Sequence, residues 1–252
     1  MVLSPLRDSP AVGAIVVNSS ALPTARWLDE HRHSRHQLAW AAQGVLGVKV
    51  GEDSWVLPPT RALWIPSGVP HRTGATRDAV FHSLYLEPAD CPLTWDAPVA
   101  VAVDDLLAQL LRHLGRSDLT EAARRRAEAV VFDLLHPLPS TPIRVPDPTD
   151  DRARAVAAIL LADPADSRTL DGFARATGTS RRTLSRIFVQ DTGMTFDHWR
   201  TQLRLRAALP MLAEGHPVAR VARAVGYATP SAFLAAFRRT VGTSPQRYLA
   251  GA

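Results

Sequence analysis

Two stretches in the C-terminal half, LDGFARATGTSRRTLSRIF at 170–188 and VARVARAVGYATPSAFLAAF at 218–237, share one internal pattern. Ala174 and Gly178 in the first keep the interval of Ala222 and Gly226 in the second. Leu184 and Phe188 keep the four-residue step of Phe233 and Phe237. A small residue lets two short helices cross closely, the glycine permits a tight turn, and the apolar pair seats the second helix on the first. This is the pattern of a helix-turn-helix, present twice. Between the copies, TFDHWRTQLRLRAALPMLAEG at 195–215 predicts one long helix, capped by Thr195 and ending before Gly215. About 20 residues rising about 1.5 Å each make a rod of roughly 30 Å, close to the roughly 34 Å repeat of B-DNA. Such a rod can hold two reading helices in successive major grooves. Pro210 inside it predicts a kink or a local break.

The outward residues of the two second helices follow from the buried ones. With Leu184, Ile187 and Phe188 inside, Arg182, Ser185, Arg186 and Val189 face away and are the candidate base contacts. An arginine can grip the O6 and N7 of guanine with two hydrogen bonds. Arg181 lies nearer the edge and is assigned to phosphate. In the second copy, Thr229 caps the helix ahead of Pro230, and the outward face carries Ser231, Leu234, Ala235 and Arg238, with Arg239 beside them. That face has few donors, which predicts phosphate anchoring and thymine-methyl contact rather than hydrogen-bonded reading. Charge agrees. Residues 1–150 carry 14 Lys and Arg against 17 Asp and Glu, a net of −3, whereas 151–252 carry 15 against 7, a net of +8. A basic module joined to a near-neutral partner is expected to bind a polyanion, here double-stranded DNA.

The N-terminal half has a different period. Short apolar runs alternate with turn signals from about 11 to 102, the pattern of antiparallel strands, and Gly51, Glu52 and Asp53 sit where a hairpin turn would. In DDLLAQLLRHLG, Leu106, Leu107, Leu110, Leu111 and Leu114 form one helical stripe, and a second helix is expected over 119–136. Prolines 137, 139, 142, 146 and 148 then predict a stiff linker without regular structure. The organisation read from the sequence is therefore α+β with two domains: a β domain at 1–103, a helix pair at 104–136 whose leucine stripe suits core packing, a linker at 137–149 and the DNA-binding domain at 150–252. No apolar run is long enough to span a bilayer, so no membrane association and a cytoplasmic location are expected. The single cysteine excludes an internal disulfide and any cysteine-clustered zinc module.

Residues 150–250 resemble the AraC/XylS family of bacterial transcription regulators, carried by LDGFARATGTSRRTLSRIFVQDTGMTFDHWR and by ARVARAVGYATPSAFLAAFRRTVGTSPQRY, with Gly226, Tyr227, Phe233, Phe237 and Pro245. The resemblance implies sequence-specific DNA binding through two helix-turn-helix units, control of transcription at nearby promoters, an effector domain at 1–103 and, because helices in this place form the dimer contact in related regulators, a homodimer held by the helix pair at 104–136.

HRHSRHQ at 31–37 packs three of the chain's nine histidines into seven positions. On a strand, His31, His33 and Gln37 would share one face, with His36 on the other. Together with PTRALWIPSGVPHR, which ends its motif in His71, the stretch resembles the two cupin motifs: His31, His33, Gln37 and Gly44 fit the first, and Pro66, Gly68 and His71 the second. A cupin is a jelly-roll β domain. Gln37 stands where the motif has glutamate, and Thr60 and Ala75 where it often has glycine and asparagine. Three imidazoles with an amide oxygen suit Ni²⁺, Zn²⁺ or Cu²⁺ and not Mg²⁺ or Ca²⁺. Similar domains in this family include nickel-responsive repressors, while others bind sugars or other small molecules without metal, so a metal and a small-molecule effector both stand as readings. Cupin enzymes use such histidines for oxygenase or isomerase chemistry. With no general base or substrate clamp added in this sequence, a non-enzymatic sensor is the expectation.

Overall fold

The computed structural model describes residues 14–138 and 142–250. The described residues divide into two compact units. One comprises residues 14–46 and 57–138; the other comprises 47–56 and 142–250. The hairpin tip at 47–56 thus groups with the C-terminal helices. Ala11 to Gly13 of the expected first strand, and Pro139 of the linker, lie outside the described residues.

In the first unit, β1 (Ile15–Leu22), β2 (His36–Val50), β4 (Arg61–Ile65), β5 (Arg72–Leu86) and β6 (Val99–Ala102) form an antiparallel sheet system. β1 pairs β5 from Ile15 opposite Leu86 to Leu22 opposite Ala79, β2 pairs β4 from Gln37 opposite Ile65, and β4 pairs β6. β2 is the hub, carrying β5 and β3 (Asp53–Leu57) on the main path and β4 off it. Gly51, at φ +54°, and Glu52 make the turn between β2 and β3, as the sequence predicts.

Two helices cover this sheet. α1 (Asp105–Leu114) is capped by Asp104, which accepts from the Leu107 amide, and α2 (Glu121–Leu134) by Thr120. Leu107, Leu111 and Leu114 of α1, with Ala127 and Val131 of α2, join Trp40, Trp64, Leu84 and Val101 in one core. Each fully buried leucine or valine there is worth about 1.5 to 3 kcal/mol. Leu106, grouped with the stripe on sequence spacing, is instead 56% exposed. Helical spacing gives a stripe wider than the surface the sheet can cover, and Leu106 falls on its outer edge. Glu128 of α2 is buried and its carboxylate accepts from the Ala14 and Ile15 amides, both at 3.1 Å, which ties the start of β1 to the helix.

The second unit is helical, as expected: α3 (Asp151–Ala162), α4 (Leu170–Ala176), α5 (Arg181–Thr192), α6 (Phe196–Ala213), α7 (Val218–Ala224), α8 (Pro230–Val241) and α9 (Pro245–Ala250). Thr169, Ser180, Thr195 and Thr229 each cap the helix that follows. Two aromatic clusters hold it: Phe173, Phe188, Phe196 and Trp199 around the first helix pair, and Tyr227, Phe233, Phe237 and Tyr248 around the second. Pro210 does not break α6, which runs through it to Ala213. The proline costs the helix one amide donor, the one that would reach the Arg206 carbonyl, without ending it.

The proline-rich segment also departs from expectation. Ile143 and Arg144 form a short strand, β7, paired with Ser54 and Asp53 of β3, and Arg144 bonds Asp53 at 2.8 Å. Beyond it, Pro146 accepts from the buried Trp199 indole at 2.8 Å. The Asp191 carboxylate, at the end of α5, accepts from the Thr149 amide and hydroxyl and from the Asp150 amide at 2.8 to 2.9 Å. Proline removes donors but leaves carbonyls and flanking amides, and these are what the helices engage.

Candidate functional site

Two arrangements of side chains carry chemistry. The first is in the sheet unit. His31 and His33 lie not on a strand but in the extended segment that leads into β2, which begins at His36. His31 exchanges both backbone hydrogen bonds with His71, at 3.0 and 2.9 Å. This isolated bridge does what strand alternation was expected to do. The imidazole centroids stand 4.4 Å apart for His31 and His71, 5.1 Å for His33 and His71, and 6.2 Å for His31 and His33. The Tyr85 ring meets His33 edge-on at 5.0 Å.

The three rings are oriented alike by hydrogen bonding. Nδ1 of His31 bonds the Asp29 carbonyl at 2.8 Å, Nδ1 of His33 the Arg35 carbonyl at 2.6 Å, and Nδ1 of His71 the Val69 carbonyl at 2.9 Å. A carbonyl only accepts, so Nδ1 holds the proton in each ring, and in the neutral form Nε2 carries the free lone pair. His71 is fully buried, and its Nε2 has no hydrogen-bond partner. Burial pushes His71 down to about 4, assisted by the neighbouring His31 and His33 and opposed by its bond to Val69, so this ring is neutral at pH 7.

Gln37, also buried, reaches the cluster with Oε1 at 3.2 Å from His33 Nε2, and its amide nitrogen donates to Ser83 Oγ. In this orientation both ring nitrogens of His33 face acceptors; turning the amide end for end gives Nε2 a donor instead. The donor set fits a borderline divalent metal in kind: three imidazoles, with the Nε2 of His71 orphaned and that of His33 engaged by Gln37, and an amide oxygen. As they stand, however, no three His, Cys, Asp or Glu side chains among the described residues are placed to hold a metal ion. The set is assembled without being closed.

The second arrangement is the pair of helix-turn-helix units. α4 leads through Gly178, at φ +65°, into α5, and α7 through Gly226, at φ +82°, into α8. Leu184, Ile187 and Phe188 of α5 are buried, whereas Arg181, Arg182, Arg186 and Val189 are exposed and Ser185 is half-buried. Arg181 reaches Asp171 at 3.7 Å, while no salt bridge among the described residues engages Arg182 or Arg186. On α8, Ser231, Ala235, Arg238 and Arg239 are exposed, Leu234 is half-buried, and Thr229 caps the helix through the Ala232 amide. Unpaired guanidiniums on helices seated by buried aromatics are what phosphate and base-edge contacts need.

Sequence reasoning did not find Arg204. From α6 it donates to the Pro164 and Asp166 carbonyls at 2.9 and 3.1 Å and lies over the Tyr227 ring at 5.6 Å. It joins the loop after α3 to the second helix-turn-helix. Asp191 and Glu128 were also missed. Their partners are 41 or more positions away, and no local pattern announces such a pairing.

Paired helix-turn-helix units that follow a sheet domain along the chain define a DNA-binding transcription regulator. Residues 173–251 match the family described as helix-turn-helix domain, and residues 15–135 the family described as AraC-like ligand binding domain. The HTH-type transcriptional regulator NimR of Escherichia coli is 31% identical over 223 residues, covering 87% of this chain and 81% of that protein. The HTH-type transcriptional regulator RipA of Corynebacterium glutamicum is 41% identical over 106 residues, and the match spans only 32% of its length. Among solved structures, ToxT from Vibrio cholerae aligns over 95% of this chain and 99% of its own at 10% identity and a TM-score of 0.39, a level that supports no reading of function. The chain belongs to the AraC family of transcriptional regulators, with an AraC-type helix-turn-helix domain and an AraC-like ligand-binding domain. No helix among the described residues is long and apolar enough to cross a membrane.

Proposed function

We propose that the protein controls transcription by binding operator DNA through α5 and α8, and that an effector held at His31, His33 and His71 changes its affinity for that DNA. Arg182, Ser185 and Arg186 read bases. Arg181, Arg238 and Arg239 hold phosphate, with Thr229, Ser231 and Leu234 completing the second contact. A homodimer forms through α1 and α2, where Leu106 and Val130 are 56% and 41% exposed.

For the effector, the carrying observation is the buried His71 Nε2 without a partner, beside two further imidazoles whose Nδ1 protons are already committed to backbone carbonyls. Such second-contact bonding orients metal-binding histidines and raises their basicity. Ni²⁺, Zn²⁺ or Cu²⁺ is the effector the donor set suits, with Gln37 as a fourth, neutral contact. The ring separations of 4.4 to 6.2 Å favour a second reading, a small organic molecule that donates a hydrogen bond to the orphaned Nε2 of His71. Titrating each metal against operator binding separates them. A metal effector is expected to shift affinity about 5- to 150-fold, and by reciprocity DNA shifts metal affinity equally. Wild type and His33→Ala responding alike to every metal overturns the metal reading. For DNA, Arg182→Ala or Arg186→Ala is expected to abolish selective binding and leave weak, salt-sensitive binding to any duplex.

A further inference from the structure

Val189 is an anomaly on the reading face of α5. Among the described residues, the large apolar side chains left exposed are Leu106, Val130, Leu161 and Val189, and only Val189, at 46%, belongs to a reading helix. At about 100° per residue it projects within about 20° of Arg182 and between Ser185 and Arg186, in the middle of the polar stripe. Valine gains nothing at an exposed helical site, where its branched side chain is a weaker helix former than alanine, glutamine or lysine. Its stiff χ1 does present two methyl groups in a fixed direction.

We propose that Val189 reads the 5-methyl group of a thymine in the major groove. This rests on the reading that α5 enters that groove. The thymine methyl is the apolar feature of the major-groove edge, and an aliphatic side chain is its complement. Arg182 and Arg186, exposed and engaged by no salt bridge among the described residues, lie together on one side of the valine and give it a positively charged setting. That setting suits a polyanion and opposes an apolar protein surface. Val189 lies about 10 Å along the helix from Arg182, and base pairs are spaced about 3.4 Å. The thymine is therefore expected within about three base pairs of the base that Arg182 reads.

The test begins by selecting tight binders of the full-length protein from a pool of random duplexes. Each thymine in the selected sequence is then replaced singly by deoxyuridine, which removes only the methyl group. At one thymine, deoxyuridine should weaken wild-type binding about three- to fivefold, the value of one buried methyl. Val189→Ala should bind both duplexes alike, at the weakened level, with Val189→Thr between them. If selection yields a sequence that depends on Arg182 but no thymine methyl matters, or the methyl matters equally to Val189→Ala, this inference falls and the DNA reading stands. If selection yields no preferred sequence, both fall.

Discussion

Gly178 and Gly226 occupy equivalent places in the two helix-turn-helix units, with φ of +65° and +82°, yet their surroundings differ. A Cβ at Gly178 would meet nothing within 4 Å. At Gly226 it would lie 2.5 Å from Arg204 Nη2 and 2.9 Å from the Ala165 Cα. Gly178→Ala should therefore cost only the left-handed backbone, about 1 to 2 kcal/mol. Gly226→Ala adds displacement of a guanidinium that donates to two carbonyls, Pro164 and Asp166. A hydrogen bond from a charged group is worth about 1.5 to 3 kcal/mol; losing one and weakening the other brings the total to about 3 to 5 kcal/mol. Urea unfolding followed by helical circular dichroism reads the difference. Combining Gly226→Ala with Arg204→Ala should cost clearly less than the two changes added, because they disrupt the same contacts. Equal costs for the two glycines, or strict additivity with Arg204→Ala, would refute the argument.

Hydrogen bonds from Asp150 and Thr149 hold the Asp191 carboxyl below the usual carboxylate range, so its contribution to stability is fully present above the unfolded value near about 3.9 and is lost as pH falls through the lower folded value. Wild type should lose stability more steeply below about pH 4 than Asp191→Asn, in urea melts repeated across that range. Leu106→Glu with Val130→Glu should convert a dimer to a monomer by light scattering without loss of helical signal, and an unchanged mass would remove α1 and α2 as the contact. Glu128→Ala leaves the Ala14 and Ile15 amides unsatisfied, a loss of about 2 to 3 kcal/mol, and should speed proteolysis near β1.

The helical half was legible because its signals are local. Cap residues, turn glycines and apolar steps of four lie within a few positions of one another, and Thr195, Thr229, Gly178 and Gly226 all take the roles their spacing implies. The histidine cluster was legible in membership but not in mechanism. A strand was expected to align His31 and His33, whereas a single bridge to His71 across 40 positions brings the rings together. Leu106 shows where periodicity stops being informative: spacing places it beside the core leucines, but only the width of the sheet determines whether it is covered. The linker misled for a related reason. Proline spacing speaks of donors removed, and says nothing of the carbonyls that Trp199 seeks or the amides that Asp191 accepts from.

Those linker contacts decide where the molecule can be cut. A chimera that joins a foreign sensor at residue 149, on the proline pattern, discards the carbonyl that pairs the Trp199 indole and puts a graft junction on the Thr149 and Asp150 amides that hold the end of α5. The portable module must instead keep Ile143 and Arg144. Even so, it leaves behind Ser54 and Asp53, the strand partners of Ile143 and Arg144. A transplanted reading head is therefore expected to keep its specificity and lose some of its stability unless the 47–56 hairpin travels with it.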